Sequence, residues 1–113
     1  MHEMSLAESV REIVDETARA NGAARVSLVR LEIGRLAQVE IDAMKFAFDV
    51  VKRGSLAEGA LLEIVECDGA AWCMRCSQAV PIARRGDACP ECDSHQLQVT
   101  GGDRMRVMEI EIE

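Results

Sequence analysis

Positive charge is in short supply: 13 Lys plus Arg stand against 20 Asp plus Glu, a formal net charge of -7. That balance excludes nucleic acid as the main partner, because affinity for a phosphate backbone comes largely from cationic side chains that neutralise it. It equally excludes docking on anionic lipid. Aromatic residues are scarcer still, with no Tyr, one Trp and two Phe. The chain therefore has no aromatic platform for stacking bases, and its core must be aliphatic and methionine-filled. No apolar run approaches the roughly 18 residues of a membrane helix, and the acidic start Met1-His2-Glu3 does not read as an export signal, so a cytoplasmic location is expected. There is no G-x-x-x-x-G-K-[ST] phosphate loop, which assigns any nucleotide hydrolysis to another protein. With two histidines only, no Ser/His/Asp set can be assembled, and the chain is not expected to be an enzyme.

What is present is a folding pattern. Ser5-Leu6-Ala7-Glu8 has the S-x-x-E form of a capping box, followed by Leu6, Val10, Ile13 and Val14 at helical spacing and an Asn21-Gly22 stop. This predicts a helix from Ser5 to Asn21 and leaves Met1 to Met4 as a non-helical lead. Arg25 to Ile33 reads as a strand with Ser27, Val29, Leu31 and Ile33 on one face. The stripe Ile41, Met44, Phe48, Val51 predicts a second helix, closed by Lys52-Arg53-Gly54 and capped at its start by Glu40 or Asp42. Ala60 to Cys67 and Met105 to Ile112 complete a sheet, with Met44 and Met108 as core filler. The expected fold class is α+β: two helices on a three-stranded sheet with an inserted zinc-ribbon domain. The main domain is expected at 1–67 plus 104–113, and the insert at 68–103.

The insert contains four of the five cysteines, both prolines and few large apolar side chains. A segment that short cannot bury enough surface to fold alone, and needs a staple. Cys73-Met74-Arg75-Cys76 and Cys89-Pro90-Glu91-Cys92 supply it. Each C-x-x-C puts two sulfurs on one ion from a tight turn, and four thiolates close a tetrahedron suited to structural zinc. Two disulfides would need an oxidising compartment, and a thioredoxin-like pair needs one C-x-x-C at a helix start. Iron takes the same four ligands and stays open. The fifth cysteine, Cys67, reads as a small strand hydrophobe rather than a reactive thiol or an additional ligand.

His2 is chemically distinctive. The terminal amine, the His2 amide nitrogen and the imidazole can close fused chelate rings in one plane, the geometry that nickel(II) and copper(II) favour. The amide or carboxylate of Glu3, another side chain or water would fill the fourth position. The alternative is a terminal histidine with no function. His95, three residues after Cys92, is either a polar loop residue or a second nitrogen donor. Arg84-Arg85 reads as a solvated basic spot able to meet an acidic partner.

Taken together, the opening Met-His-Glu-Met-Ser-Leu, Val29 to Leu36 (VRLEIGRL), Val39-Glu40, Phe46-Ala47-Phe48, Ala60 to Ile64 (ALLEI), Trp72-Cys73 and both knuckles resemble the HypA/HybF family of hydrogenase maturation proteins. The resemblance implies a nickel metallochaperone in which His2 is the nickel ligand, Glu3 supports it and His95 is a possible further donor. Cys73, Cys76, Cys89 and Cys92 would bind one structural zinc, and nickel would be transient cargo. It implies a GTPase partner, the large-subunit precursor of [NiFe] hydrogenase as client, a possible link to urease maturation proteins, and a monomer or homodimer. Asp93 replaces a common Gly and Arg104-Met105 a common Glu-Leu, which bears on the local turn and the start of the last strand. The competing reading is a zinc-ribbon interaction module with a passive N-terminus.

Overall fold

The computed structural model describes residues 2–113. In chain order it contains α1 (His2–Ala20), β1 (Val26–Gly34), α2 (Ile41–Val51), β2 (Leu61–Cys67), β3 (Gly69–Cys73), β4 (Gln78–Ile82), β5 (Leu97–Gly101) and β6 (Met105–Ile112). The strands form two three-stranded sheets, ordered β2-β1-β6 and β4-β3-β5. The α+β class with two helices and a first sheet from β1, β2 and β6 is as the sequence implied. The insert's own sheet was not read from the sequence. The chain divides into two compact units, one of them Glu32–Gln38 with Val65–Arg106 and the other the remainder, so the boundaries fall inside strands. Among the described residues no helix is long and apolar enough to cross a membrane.

In the first unit α1 packs on α2. The buried stripe of α1 is Ala7, Val10, Val14 and Ala18, spaced to keep one face inward. Ile13, expected in that stripe, is 49% exposed. Alanines at 7 and 18 carry the inward face instead, and Ile13 falls off its edge. From α2 come Met44, Ala47 and Phe48, and from β1 Val29 and Leu31, all fully or almost fully buried. The core is aliphatic around a single Phe, as the composition required. Met108 corrects the core-filler expectation: it is exposed on β6, an edge strand. Asp15 is buried, and its Oδ1 accepts the Leu56 N–H at 3.2 Å, tying the loop after α2 to α1. Gly54 ends that helix with φ of 78°, the left-handed geometry its sequence promised.

The second unit has β3 at its centre, antiparallel to β4 (Trp72 opposite Ala79) and to β5 (Trp72 opposite Gln98). Its buried cluster is Leu36, Ala71, Cys73, Val80, Ile82 and Cys89. Two of these are cysteines, so a large part of the interior is sulfur rather than hydrocarbon.

Gly34 and Gly102 allow two backbone segments of this unit to touch. The Leu36 N–H donates to the Gly102 carbonyl at 2.7 Å and the Gly34 N–H to the Arg104 carbonyl at 2.9 Å. A β-carbon at Gly102 would overlap the Asp68 carbonyl, and the residue has φ of 72°. Gly102→Ala is therefore expected to cost about 2–4 kcal/mol, from the left-handed backbone and the overlap together. Gly22→Ala, at φ of 69° but in open space, should cost only ~1 kcal/mol. Denaturant midpoints followed by fluorescence of Trp72 for the first and by helix circular dichroism for the second would check this; equal losses would refute the close-approach argument.

Candidate metal centres

The two knuckles share one backbone solution. After Cys73 ends β3, Ser77 adopts φ of 54° and donates its N–H to the Cys73 carbonyl at 2.8 Å. Likewise Asp93 adopts φ of 61° and donates to the Cys89 carbonyl at 2.9 Å. The fourth residue after the first cysteine of each pair is thus left-handed, which explains why glycine suits this place and why Asp is tolerated. Amides also point at sulfur: Cys76 N–H to Cys73 Sγ and Glu91 N–H to Cys89 Sγ, each 3.4 Å.

All four sulfurs lie within 4.8 Å of one another, and they are the donor set that comes together among the described residues. Cys73 Sγ is 3.7 Å from Cys92 Sγ, and Cys76 Sγ is 3.9 Å from Cys89 Sγ. A tetrahedron with zinc–sulfur bonds of about 2.3 Å has edges of about 3.8 Å. The chemistry and the spacing of this donor set fit a tetrathiolate ion.

The protonation pattern agrees. The Cys76 amide, aided by that of Arg75, holds the Cys73 thiol down at about 7. Cys76 is pushed up to about 12 by its hydrogen bond with Cys92, by burial and by the neighbouring Cys73. Four thiolates cannot share so small a space without a cation, so a divalent ion relieves the crowding that the fold imposes.

The N-terminal candidate residues are arranged differently. The expected non-helical lead is not found: α1 begins at His2 and Ser5 lies inside it, accepting from Ser9 Oγ through its carbonyl at 3.1 Å. The capping box at Ser5 is thereby overridden. Glu3 replaces it, because its Oε2 accepts the Glu40 N–H at 3.2 Å and anchors the first turn to the start of α2. An acidic side chain in the first turn also suits the positive end of the helix. That same Glu40 hydrogen bond, with the Glu3 amide assisting, holds the Glu3 carboxyl below the usual carboxylate range even though burial pushes the other way. Glu40 is the N-cap residue of α2 as expected, its carbonyl accepting the Met44 N–H at 2.9 Å, but its side chain makes no capping hydrogen bond, and Asp42 lies inside the first turn.

His2 Nδ1 lies 3.3 Å from Glu3 Oε2, with the imidazole 59% exposed and the Glu3 side chain 10%. The exposed ring and the buried carboxylate meet at one oxygen, which also takes the Glu40 amide. The helical start leaves the His2 amide unused, since the first four N–H groups of a helix have no partner within it. Met1, whose amine the chelate would employ, lies outside the described residues. His95 is exposed in the loop between Cys92 and β5, in the other unit, and is not part of the sulfur set. Cys67 is half-buried at the end of β2 and donates to Glu32 Oε1 at 3.5 Å. Burial, with the Glu32 contact, pushes its thiol up, the behaviour of a structural cysteine. The Glu40 amide was the one participant not legible in the sequence, because only the fold brings it to Glu3.

Known proteins place these features in context. Residues 1–112 match the family profile described as hydrogenase/urease nickel incorporation, metallochaperone, HypA. A protein named hydrogenase maturation factor HypA from Dechloromonas aromatica (strain RCB) is 58% identical over 113 residues, the full length of both chains. A namesake from Azotobacter vinelandii is 55% identical over the same span. The solution structure of the Ni metallochaperone HypA from Helicobacter pylori superimposes with a TM-score of 0.74 at 28% identity, covering 97% of this chain and 96% of the other. The resemblance suggested by the opening residues and the knuckles thus extends over the whole chain, which belongs to the HypA family of metallochaperones for nickel incorporation into hydrogenase and urease.

Proposed function

We propose that this chain binds Ni(II) at its N-terminus through His2, with Glu3 in support, and helps insert it into [NiFe] hydrogenase, while Cys73, Cys76, Cys89 and Cys92 hold one structural zinc. The observation that carries this reading is the contrast between the two donor sets. The sulfurs form a closed, largely buried cage, suited to an ion that stays. The His2 ring is exposed and tethered through Nδ1 to a single carboxylate oxygen, an incomplete set suited to an ion that leaves. Soft thiolates and nitrogen donors also select different ions, so two metals can coexist on one chain.

The chain's own residues have defined tasks in this scheme. Glu3, pinned by the Glu40 amide, keeps negative charge beside the imidazole and gives up Nδ1, the ring nitrogen that closes the chelate, when nickel binds. His2 supplies imidazole and amide nitrogens, and the first turn of α1 yields to them cheaply because a helix terminus frays. His95 is available as a further donor. The nickel-handling domain is 1–67 plus 104–113 and the zinc domain 68–103. A GTPase of hydrogenase maturation, the hydrogenase large-subunit precursor and urease maturation proteins are the partners, in the cytoplasm, with the carrier a monomer or homodimer. Calorimetric titration of the zinc-loaded protein with nickel should show one equivalent bound per chain, and acetylating the terminal amine should abolish it. Undiminished binding by the acetylated protein would exclude the chelate.

A further inference from the structure

The second unit carries an arginine-lined cleft that the proposed metal sites do not use. Arg35, in the turn after β1, meets Arg84 and Arg85, in the turn after β4, around a cleft of about 270 Å³ completed by Leu36, Gln38 and Ala83. Its lining carries three arginines in a chain whose net charge is -7; Asp68 and Glu66 lie against Arg35, at 2.9 and 3.6 Å, and Asp87 against Arg84, which leaves Arg85 and the outer faces of the other two guanidinium groups for a ligand. The turn that presents two of them is fixed: Asp87 Oδ2 accepts the N–H groups of Ala83 and Arg84, both at 3.0 Å. Arg84 Nε is 3.9 Å from Asp87 Oδ1 and the side chain is almost wholly in solvent, so its guanidinium is free to take a stronger acceptor. Arg35 is oriented by Asp68, its Nε donating to Oδ1 at 2.9 Å. A guanidinium has five N–H donors, so this leaves others for a ligand.

A second cleft, about 340 Å³, is lined by Arg35, Asp68, Pro81, Ile82 and Ala83. The two share Arg35 and Ala83, so one trough follows β4, an edge strand of its sheet, from a cationic end to an apolar one. Pro81 has no N–H and blunts that edge against simple strand addition, leaving side chains to make the contact.

We propose that this trough docks an extended acidic segment of a partner protein. Carboxylates meet Arg84 and Arg85, and an apolar side chain lies against the exposed Pro81 and Ala83. The guanidinium fork matches a carboxylate in two parallel hydrogen bonds, and arginine is enriched where proteins meet. Asp68 at the apolar end repels a carboxylate there, which fixes the direction of the segment. The trough is longer than one small anion requires, and the overall negative charge disfavours a polyphosphate strand.

The test uses the full zinc-loaded chain and a short fluorescein-labelled peptide with Asp residues in one half and Val residues in the other, followed by anisotropy. The peptide should bind at low salt and weaken as salt rises, because exposed charges are screened. Reversing both arginines (Arg84→Glu with Arg85→Glu) should weaken it by about tenfold or more. Arg53→Glu, a reversal outside the trough, should not, and a peptide with Lys in place of Asp should not bind. Unchanged affinity in the double variant would overturn the proposal. So would inorganic pyrophosphate displacing the peptide with equal or greater affinity, which would assign the trough to phosphate instead.

Discussion

Replacing His2 with Ala is expected to abolish nickel uptake, weakening it more than about 100-fold, while zinc content stays the same. Changes in residues that merely orient a ligand typically cost 10–100-fold in affinity, and losing the ligand itself should exceed that. The substitution leaves the fold alone for a visible reason. The His2 ring is exposed, whereas the packed face of α1 begins with Glu3 and Ala7. Glu3 keeps its hydrogen bond from the Glu40 amide without the imidazole. Thermal unfolding in the absence of nickel should therefore match the parent. Metal analysis after gel filtration, beside calorimetry, reads both outcomes at once. Nickel retained at one equivalent in His2→Ala would leave the N-terminus passive and favour a zinc-ribbon interaction module.

The second large effect belongs to the cage. Cys73→Ser is expected to lose zinc and unfold the second unit while the helices of the first persist. Structural zinc contributes roughly 10–16 kcal/mol in small zinc-dependent folds near neutral pH. A unit whose buried cluster is six residues, two of them cysteines of the proposed cage, has no comparable hydrocarbon reserve. Trp72, one residue before Cys73 and 42% exposed, should report the loss as a change in emission intensity and anisotropy, with the helical circular dichroism largely preserved. Cys67→Ser, which removes a thiol bonded only to Glu32, should leave zinc and emission as they were. Acid should act in the same direction as Cys73→Ser. The ion needs deprotonated sulfur, and Cys76, pushed up to about 12 without a cation, recaptures its proton readily as pH falls. Full zinc content and native emission in Cys73→Ser would refute the four-sulfur site.

Much of this architecture was legible because its signals are periodic or chemically rare. The Met44 and Phe48 stripe, the Gly54 stop and the two C-x-x-C pairs each act locally, and each is found where the sequence placed it. The start of α1 was not legible because a distant amide decides it. Ser5 offered a sound local cap, yet the bond from Glu40 to Glu3 prolongs the helix by three residues. The strands of the insert were hidden for another reason. GAAWC and QAVPI are short, alanine-rich and interrupted by proline, so neither alternation nor β-branching marks them. Ile13 and Met108 show the limit of hydrophobicity as a guide, since apolar residues outnumber the inward positions that can take them. The left-handed backbone at Ser77 and Asp93 was visible only indirectly, through the glycine that Asp93 replaces.

Two close approaches between sulfurs run from one knuckle to the other, Cys73 to Cys92 and Cys76 to Cys89. In the metal-free cage a two-electron oxidant such as a small-molecule disulfide would couple these neighbours crosswise, each pair giving up two thiol protons and two electrons and closing to about 2 Å. Cys67, protonated and occupied with Glu32, would be left a spectator.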